Sequence, residues 1–318
     1  MPDNIKMAEK DTVIHIRELT RQFEDLIAVN KVSFDIYRNE IFGLLGPNGA
    51  GKTTTINMLC GLLPSTSGEI QFRGFNGKDI KSLIGYCPQD NIYYPKLTCM
   101  EQLLFIGQMY GIEPGFLEAR ASELLHMLGL AEKSRTLASK LSGGMKRRLN
   151  ICLALIHDPE ILVLDEPEAG LDPQSRLLVR DFIKTFGNKK TVILTTHNMD
   201  EADRLADRIA IIDHGKLLLL DTPSNLKKTI GEGDILEICF ENGKGDEIDR
   251  FADEINRLSM SVKINQTSVL IKHPGILDHI GDIRAKAEHN GLTITEIRLR
   301  ENTLEDVFIH LTGRSLRQ

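Results

Sequence analysis

An eight-residue loop, Gly46-Pro47-Asn48-Gly49-Ala50-Gly51-Lys52-Thr53, constrains this chain more than any other feature. It has the form GxxxxGK[ST] and stands between the apolar run Ile41-Phe42-Gly43-Leu44-Leu45 and a stretch over 53–63 that reads as a helix. Glycines at those positions let successive backbone N–H groups face one concavity at a helix N-terminus, where phosphate oxygens are held. Lys52 adds positive charge for the β- and γ-phosphates, and the Thr53 hydroxyl suits Mg²⁺. A strand–loop–helix unit of this kind belongs in a mostly parallel sheet covered on both faces.

The rest of the first two-thirds agrees with that architecture. Residues 13–19 and 32–36 alternate apolar with polar, as half-buried strands do. Residues 161–165, 191–197 and 208–215 are further short strands. Ser175–Phe186 reads as a helix, with Leu178, Phe182 and Phe186 at intervals of four. Residues 97–155 are helical throughout and form an insertion into the α/β core. After Asp221-Thr222-Pro223 and Gly231-Glu232-Gly233 the order becomes β-α-β-β-α-β, the ferredoxin-like split pattern, with a last helix over 304–311. The expected organisation is a polar tail over 1–12, a nucleotide-binding domain over 13–221 with its helical subdomain at about 97–155, a linker over 222–231, and an accessory α+β domain over 232–318.

Two more elements carry chemistry. Ile161-Leu162-Val163-Leu164-Asp165-Glu166-Pro167 is an apolar strand ending in adjacent carboxylates, at the end of a parallel strand where ligands bind. Asp165 is expected to hold Mg²⁺, and Glu166 to polarise the attacking water. Leu141-Ser142-Gly143-Gly144-Met145 opens a helix with a second anion-binding terminus, which one nucleotide does not need twice from one chain. Residues 13–220 therefore resemble the ABC ATPases, the P-loop NTPases in which an LSGGQ-type signature completes the site of a partner subunit. That resemblance implies a RecA-like parallel sheet with an antiparallel β subdomain and a helical subdomain.

Carried onto this sequence, the resemblance makes residues Gly46, Pro47, Asn48, Gly49, Ala50, Gly51, Lys52, Thr53 and Thr54 ATP contacts. Phe23 would stack on adenine with Val29 beside it, although Phe23 reads equally as the core of an edge hairpin. Gln89 would touch Mg²⁺ with Thr53 and Asp165, and would act with Glu166 and His197 in catalysis. Ser142, Gly143, Gly144 and Asp172 would reach the partner's ATP. One departure is Glu168, which replaces the family's usual threonine and is expected to face solvent or a basic partner. Met145 replaces the commoner glutamine and leaves the phosphate contacts of the serine and amides in place.

Composition narrows the class. Lys plus Arg total 39 against 45 Asp plus Glu, a net charge of −6, which argues against a nucleic-acid-coating protein. Lys146-Arg147-Arg148 is then expected to be a solvated or phosphate-facing face. Five scattered cysteines without a CxxC pattern read as reduced thiols. No run reaches the length of a membrane span, and the first residues lack a secretory apolar core. The resemblance, closest to the drug-, antibiotic- and polysaccharide-export type in SGGMKRRL and NTLEDVFIHLTGRS, implies an ATP-hydrolysing subunit that pairs head to tail with a copy or homologue. It would drive a separate integral membrane permease from the cytoplasmic inner face, with ATP and Mg²⁺ as cofactors and no nucleic acid as partner. Tyr93-Tyr94-Pro95 would be a permease docking surface or plain loop packing. The alternative is a soluble ABC ATPase with a regulatory role, and a P-loop kinase would leave the signature unexplained.

Overall fold

The computed structural model describes residues 11–75, 79–230, 234–241, 245–258, 260–264, 268–273 and 275–313. Most of the expected tail over 1–12, the Gly231-Glu232-Gly233 segment and the last two residues of the closing NTLEDVFIHLTGRS motif lie outside them. Two compact units divide the chain, one running to Pro223 and one covering Ser224–Ser315.

The first unit contains β1 (Thr12–Phe23), β2 (Leu26–Tyr37), β3 (Ile41–Leu45), α1 (Lys52–Leu59), β4 (Ser67–Phe72), α2 (Ile80–Leu83) and β5 (Ile84–Cys87). There follow α3 (Cys99–Met109), α4 (Pro114–Met127), α5 (Gly143–Leu155), β6 (Ile161–Asp165), α6 (Pro173–Gly187) and β7 (Thr191–Thr196). Then come α7 (Met199–Leu205), β8 (Arg208–Asp213) and β9 (Lys216–Asp221), with α8 (Pro223–Lys228) beginning at the division. A six-stranded sheet in the order β5-β6-β7-β3-β8-β9 is parallel except for the β8–β9 pair. An antiparallel three-stranded sheet, β2-β1-β4, forms the second layer.

The pleat explains why the central strands carry apolar residues on both faces. Leu162, Leu164, Val192 and Leu194 face a core shared with α3, α4, α5 and α6. Their neighbours Ile161, Val163 and Ile193 face the opposite core with Phe42, Ile56 and the β1–β2 sheet. Both faces of the sheet are thus dry, and its strand ends are fixed in register. Helix α3 starts at a capping box, in which Thr98 and Glu101 each bond the other's backbone N–H. Among the described residues no helix is long and apolar enough to cross a membrane.

The second unit contains β10 (Asp234–Phe240), α9 (Gly245–Asn256), β11 (Ser261–Ile264), β12 (Ser268–His273), α10 (Ile280–His289), β13 (Ile294–Arg300) and α11 (Leu304–Thr312). Its strands pair antiparallel in the order β11-β12-β10-β13, the ferredoxin-like arrangement that the alternation of elements predicts. Leu236, Ile238, Phe251, Ile255, Val269 and Ile271 build its core. Val307 and Phe308 of α11 are buried, and Asp306 both closes the capping box with Thr303 and receives a bidentate pair from Arg300.

Candidate functional site

Strand β3 delivers the chain to the glycine loop, and α1 leaves it at Lys52. Gly51, the residue before α1, has φ +101°, and a Cβ there would come within 2.4 Å of the Ala28 carbonyl oxygen. Only glycine fits, and no side chain caps the first turn of α1, so its N–H groups stay available. The Lys52 ammonium lies over the loop, donating to the carbonyls of Gly46 at 2.7 Å and Pro47 at 3.1 Å. Burial lowers its pKa, opposed by the nearby charges of Glu166 and Asp165. Thr53 is exposed at the helix start, and Thr54 is half-buried beside it.

Strand β6 brings the two acids to the same place. Asp165 is fully buried; its Oδ1 accepts from the Thr195 hydroxyl of β7, and its Oδ2 has no partner among the described residues. Glu166 turns off the strand with φ +52°, a left-handed conformation that costs a glutamate about 1 kcal/mol or more. The turn is held by the Glu166 N–H, which donates to the Thr195 hydroxyl at 3.0 Å. It points the carboxylate back into the site, with Oε1 3.4 Å from Lys52 Nζ and Oε2 2.8 Å from His197 Nδ1. The C-terminal ends of β6 and β7 and the start of α1 therefore meet. The His197 ring remains half-exposed.

Gln89 is exposed in the bend after β5. Phe23 ends β1, 41% exposed, under the Arg21 guanidinium at 4.4 Å; it is therefore a surface ring and not hairpin core. Val29 is buried, and its Cγ2 lies 3.4 Å from where a Gly51 Cβ would stand. Ser142 caps α5 by accepting from the Met145 N–H at 3.3 Å, and Ser142 and Gly143 are exposed. A Cβ on Gly144 would come within 2.7 Å of Ser175 Oγ and 3.1 Å of Asp172 Oδ2, so the signature packs against the cap of α6. Asp172 makes that cap by accepting from the Ser175 N–H at 2.9 Å, and the two Ser175 hydrogen bonds hold its carboxyl below the usual range.

Three features differ from, or escape, a reading of the sequence. Arg147 and Arg148 are buried, not a solvated face: Arg148 donates to the carbonyls of Leu128 and Gly129, and Arg147 to carbonyls of residues 88–89 and 165–167. A guanidinium surrounded by carbonyls keeps its charge satisfied away from water, which a count of basic residues cannot show. Glu168 has the basic partner of the two expected settings. It is buried and bidentate to Arg180 of α6 at 3.0 and 3.2 Å, with Arg176 at 3.7 Å. Glu201 of α7 is buried, and Thr196 donates to its Oε2 at 2.6 Å.

Burial pushes the Glu201 carboxyl up to about 8, with Glu168 and Glu166 raising it further against the pull of Thr196 and Arg180. A carboxyl raised in the folded state keeps a proton that the unfolded chain releases near its ordinary value, so stability falls as pH rises between the two. Between pH 5.5 and 8.5 the parent should lose about 3 kcal/mol more than Glu201→Gln in denaturant unfolding. Parallel pH curves for the two proteins would contradict this assignment.

The sequence profile of the ABC transporter family matches residues 29–169. The linearmycin resistance ATP-binding protein LnrL of Bacillus subtilis (strain 168) is 38% identical over 298 residues, 91% of this chain and 94% of the relative. This chain belongs to the ABC transporter ATP-binding family. Another relative, the Nod factor export ATP-binding protein I of Cupriavidus pinatubonensis, is 32% identical across 99% of this chain and 95% of its own length. Among solved structures, the ATP binding subunit of an ABC transporter superposes with a TM-score of 0.63 at 26% identity, covering 69% of this chain and 93% of its own. An ATP-binding cassette in its ADP conformation gives a TM-score of 0.58 at 23% identity, which bears on the fold alone. The ABC ATPase fold of the first unit, with its P-loop, is thereby established, and the chain is an ATP-binding, ATP-hydrolysing cassette.

Proposed function

We propose that this ABC ATPase is the energy-coupling subunit of an export-type transporter, working as a head-to-tail pair on a separate membrane permease. The convergence of Lys52, Glu166 and His197 carries the ATPase part of the reading. Lys52 and backbone N–H groups of the glycine loop and the first turn of α1 would bind the phosphates, and the exposed Phe23 ring would take the adenine face. Glu166, fixed on one side by Lys52 and on the other by His197, would accept the proton of the attacking water. His197 would orient that carboxylate and, with Gln89, the terminal phosphate. The residues fit Mg²⁺: Asp165 Oδ2 is a buried anionic oxygen without a partner among the described residues, and Thr53 and Gln89 are oxygen donors of the kind the ion prefers. When bound, Mg²⁺ would neutralise phosphate charge. Ser142, Gly143, Gly144 and Asp172 would serve the partner's nucleotide.

Three observations support the transporter part. The export and resistance relatives match along nearly their whole lengths, this chain's second unit included. SGGMKRRL, which resembles that type, forms the cap and first turns of α5. A groove of about 510 Å³, lined by Ile92, Tyr93, Tyr94, Ile106, Tyr110 and His157 among others, lies beside the Gln89 bend. Tyr93 packs on the core under Lys146, whereas Tyr94 and Ile92 are exposed and offer an apolar surface of the kind a partner helix covers. Docking at the inner face of the cell membrane would place the chain there peripherally. Purification of the tagged chain from detergent-solubilised membranes should recover a multi-span membrane protein in a fixed ratio. Recovery of the chain from the soluble fraction alone, with soluble partners, would favour a regulatory ATPase.

A further inference from the structure

Arg147 stands on the second turn of α5, and only 2% of its surface is exposed. A guanidinium has five N–H donors, and each of those in Arg147 meets a backbone carbonyl. Nε donates to Pro167 O at 3.4 Å, Nη1 to Pro88 O and to Gln89 O at 3.2 Å, and Nη2 to Asp165 O and to Glu166 O at 3.1 Å. The five acceptors come from two turns, one after β5 and one after β6. Those strands pair in register as far as Cys87 and Leu164, and Arg147 takes over where the ladder stops. One side chain of the signature helix thus ties the bend that carries Gln89 to the turn that carries Asp165 and Glu166.

The turn needs such a tie. Glu166 sits at φ +52°, a conformation an L-residue keeps only where its surroundings over-determine it. Its N–H is held by Thr195, and its own carbonyl and those of its two neighbours are held by Arg147. Lysine, with three donors in a compact head, cannot span both turns. We propose that Arg147 is a positioning residue for ATP hydrolysis: it fixes the backbone of Asp165–Pro167 so that the Glu166 carboxylate stays aimed between Lys52 and His197, and it couples that aim to the Pro88–Gln89 bend. This rests on the reading of Glu166 as the base.

The test uses the full chain with Arg147→Lys and Arg147→Met, measuring binding of a fluorescent ATP analogue, steady-state hydrolysis of Mg-ATP, and the unfolding midpoint. Arg147→Lys should bind the analogue within about threefold of the parent yet turn over about 30-fold more slowly, and Arg147→Met about 100-fold more slowly, the scale of a misaimed catalytic group. Should the methionine variant fail to fold, the lysine variant decides alone. Turnover within threefold of the parent would overturn the proposal, and so would a loss of turnover matched by an equal loss of binding, which a merely structural role produces. Glu166→Gln is measured alongside. If that control hydrolyses ATP as fast as the parent, the reading of the base falls and the proposal with it. If the control is slow and Arg147→Lys is fast, the proposal alone falls.

Discussion

Glu166→Gln should slow ATP turnover by about a thousand-fold while leaving ATP affinity intact, the scale expected when a general base is lost. The amide has the carboxylate's shape, so the His197 contact at 2.8 Å and the strained turn at φ +52° can both persist. What is lost is the ability to accept a proton. Lys52 also loses the carboxylate oxygen 3.4 Å from its ammonium, which frees its charge for phosphate and cannot weaken binding of an anion. Turnover by this variant within tenfold of the parent would remove Glu166 as the base. Binding is to be followed separately, since a fall in affinity would point to collapse of the loop over 46–54.

The second large effect concerns the division of labour between two chains. The polar contacts of Lys52 lie within its own loop and with Glu166, whereas Ser142 and Gly143 stand exposed at the start of α5, where Gly144 packs beside the cap of α6. On the proposed head-to-tail reading, a signature that faces outward would serve a nucleotide held by another chain. Ser142→Arg should therefore bind ATP and fail to hydrolyse it, and Lys52→Ala should fail to bind. Neither alone should exceed about 1% of parental turnover, given the preorganised contacts each removes. Mixed in equal amounts, the two should regain up to about a quarter of parental turnover, because half of the pairs are mixed and each of those has one intact composite site. A mixture as inactive as its parts, with mixed pairs demonstrated to form, would contradict the head-to-tail arrangement.

Much of this was legible because burial on both faces writes itself into a strand. Ile41–Leu45 is apolar throughout, Ile161–Asp165 is apolar until Asp165, and Val192–Leu194 is apolar between threonines; Asp165 and Thr195, at the ends of their strands, belong to the site. The β-α-β-β-α-β order of the second unit was equally visible, since each strand alternates and each helix has one apolar stripe. Strand β4 carries little such signal: most of Ser67–Phe72 is exposed, and its pairing with β1 is what makes it a strand. Strand β5 is only four residues long, too short for any period. The arginines of α5 read as surface because sequence counts charges and cannot count carbonyls brought from residues 88–89 and 165–167 to Arg147 and from 128–129 to Arg148. Glu168 and Arg180 are twelve positions apart, and the pair exists only once α6 has folded back over its own cap.

The most direct test of the central claim, an ATPase that closes as a pair on ATP, is the mass in solution of the Glu166→Gln chain by light scattering, with and without Mg-ATP. Without nucleotide the chain should run at the monomer mass of 35.7 kDa, and with Mg-ATP it should double, reverting when Ser142→Arg is added. A mass that is the same in both conditions, with ATP shown to be bound, would contradict the account.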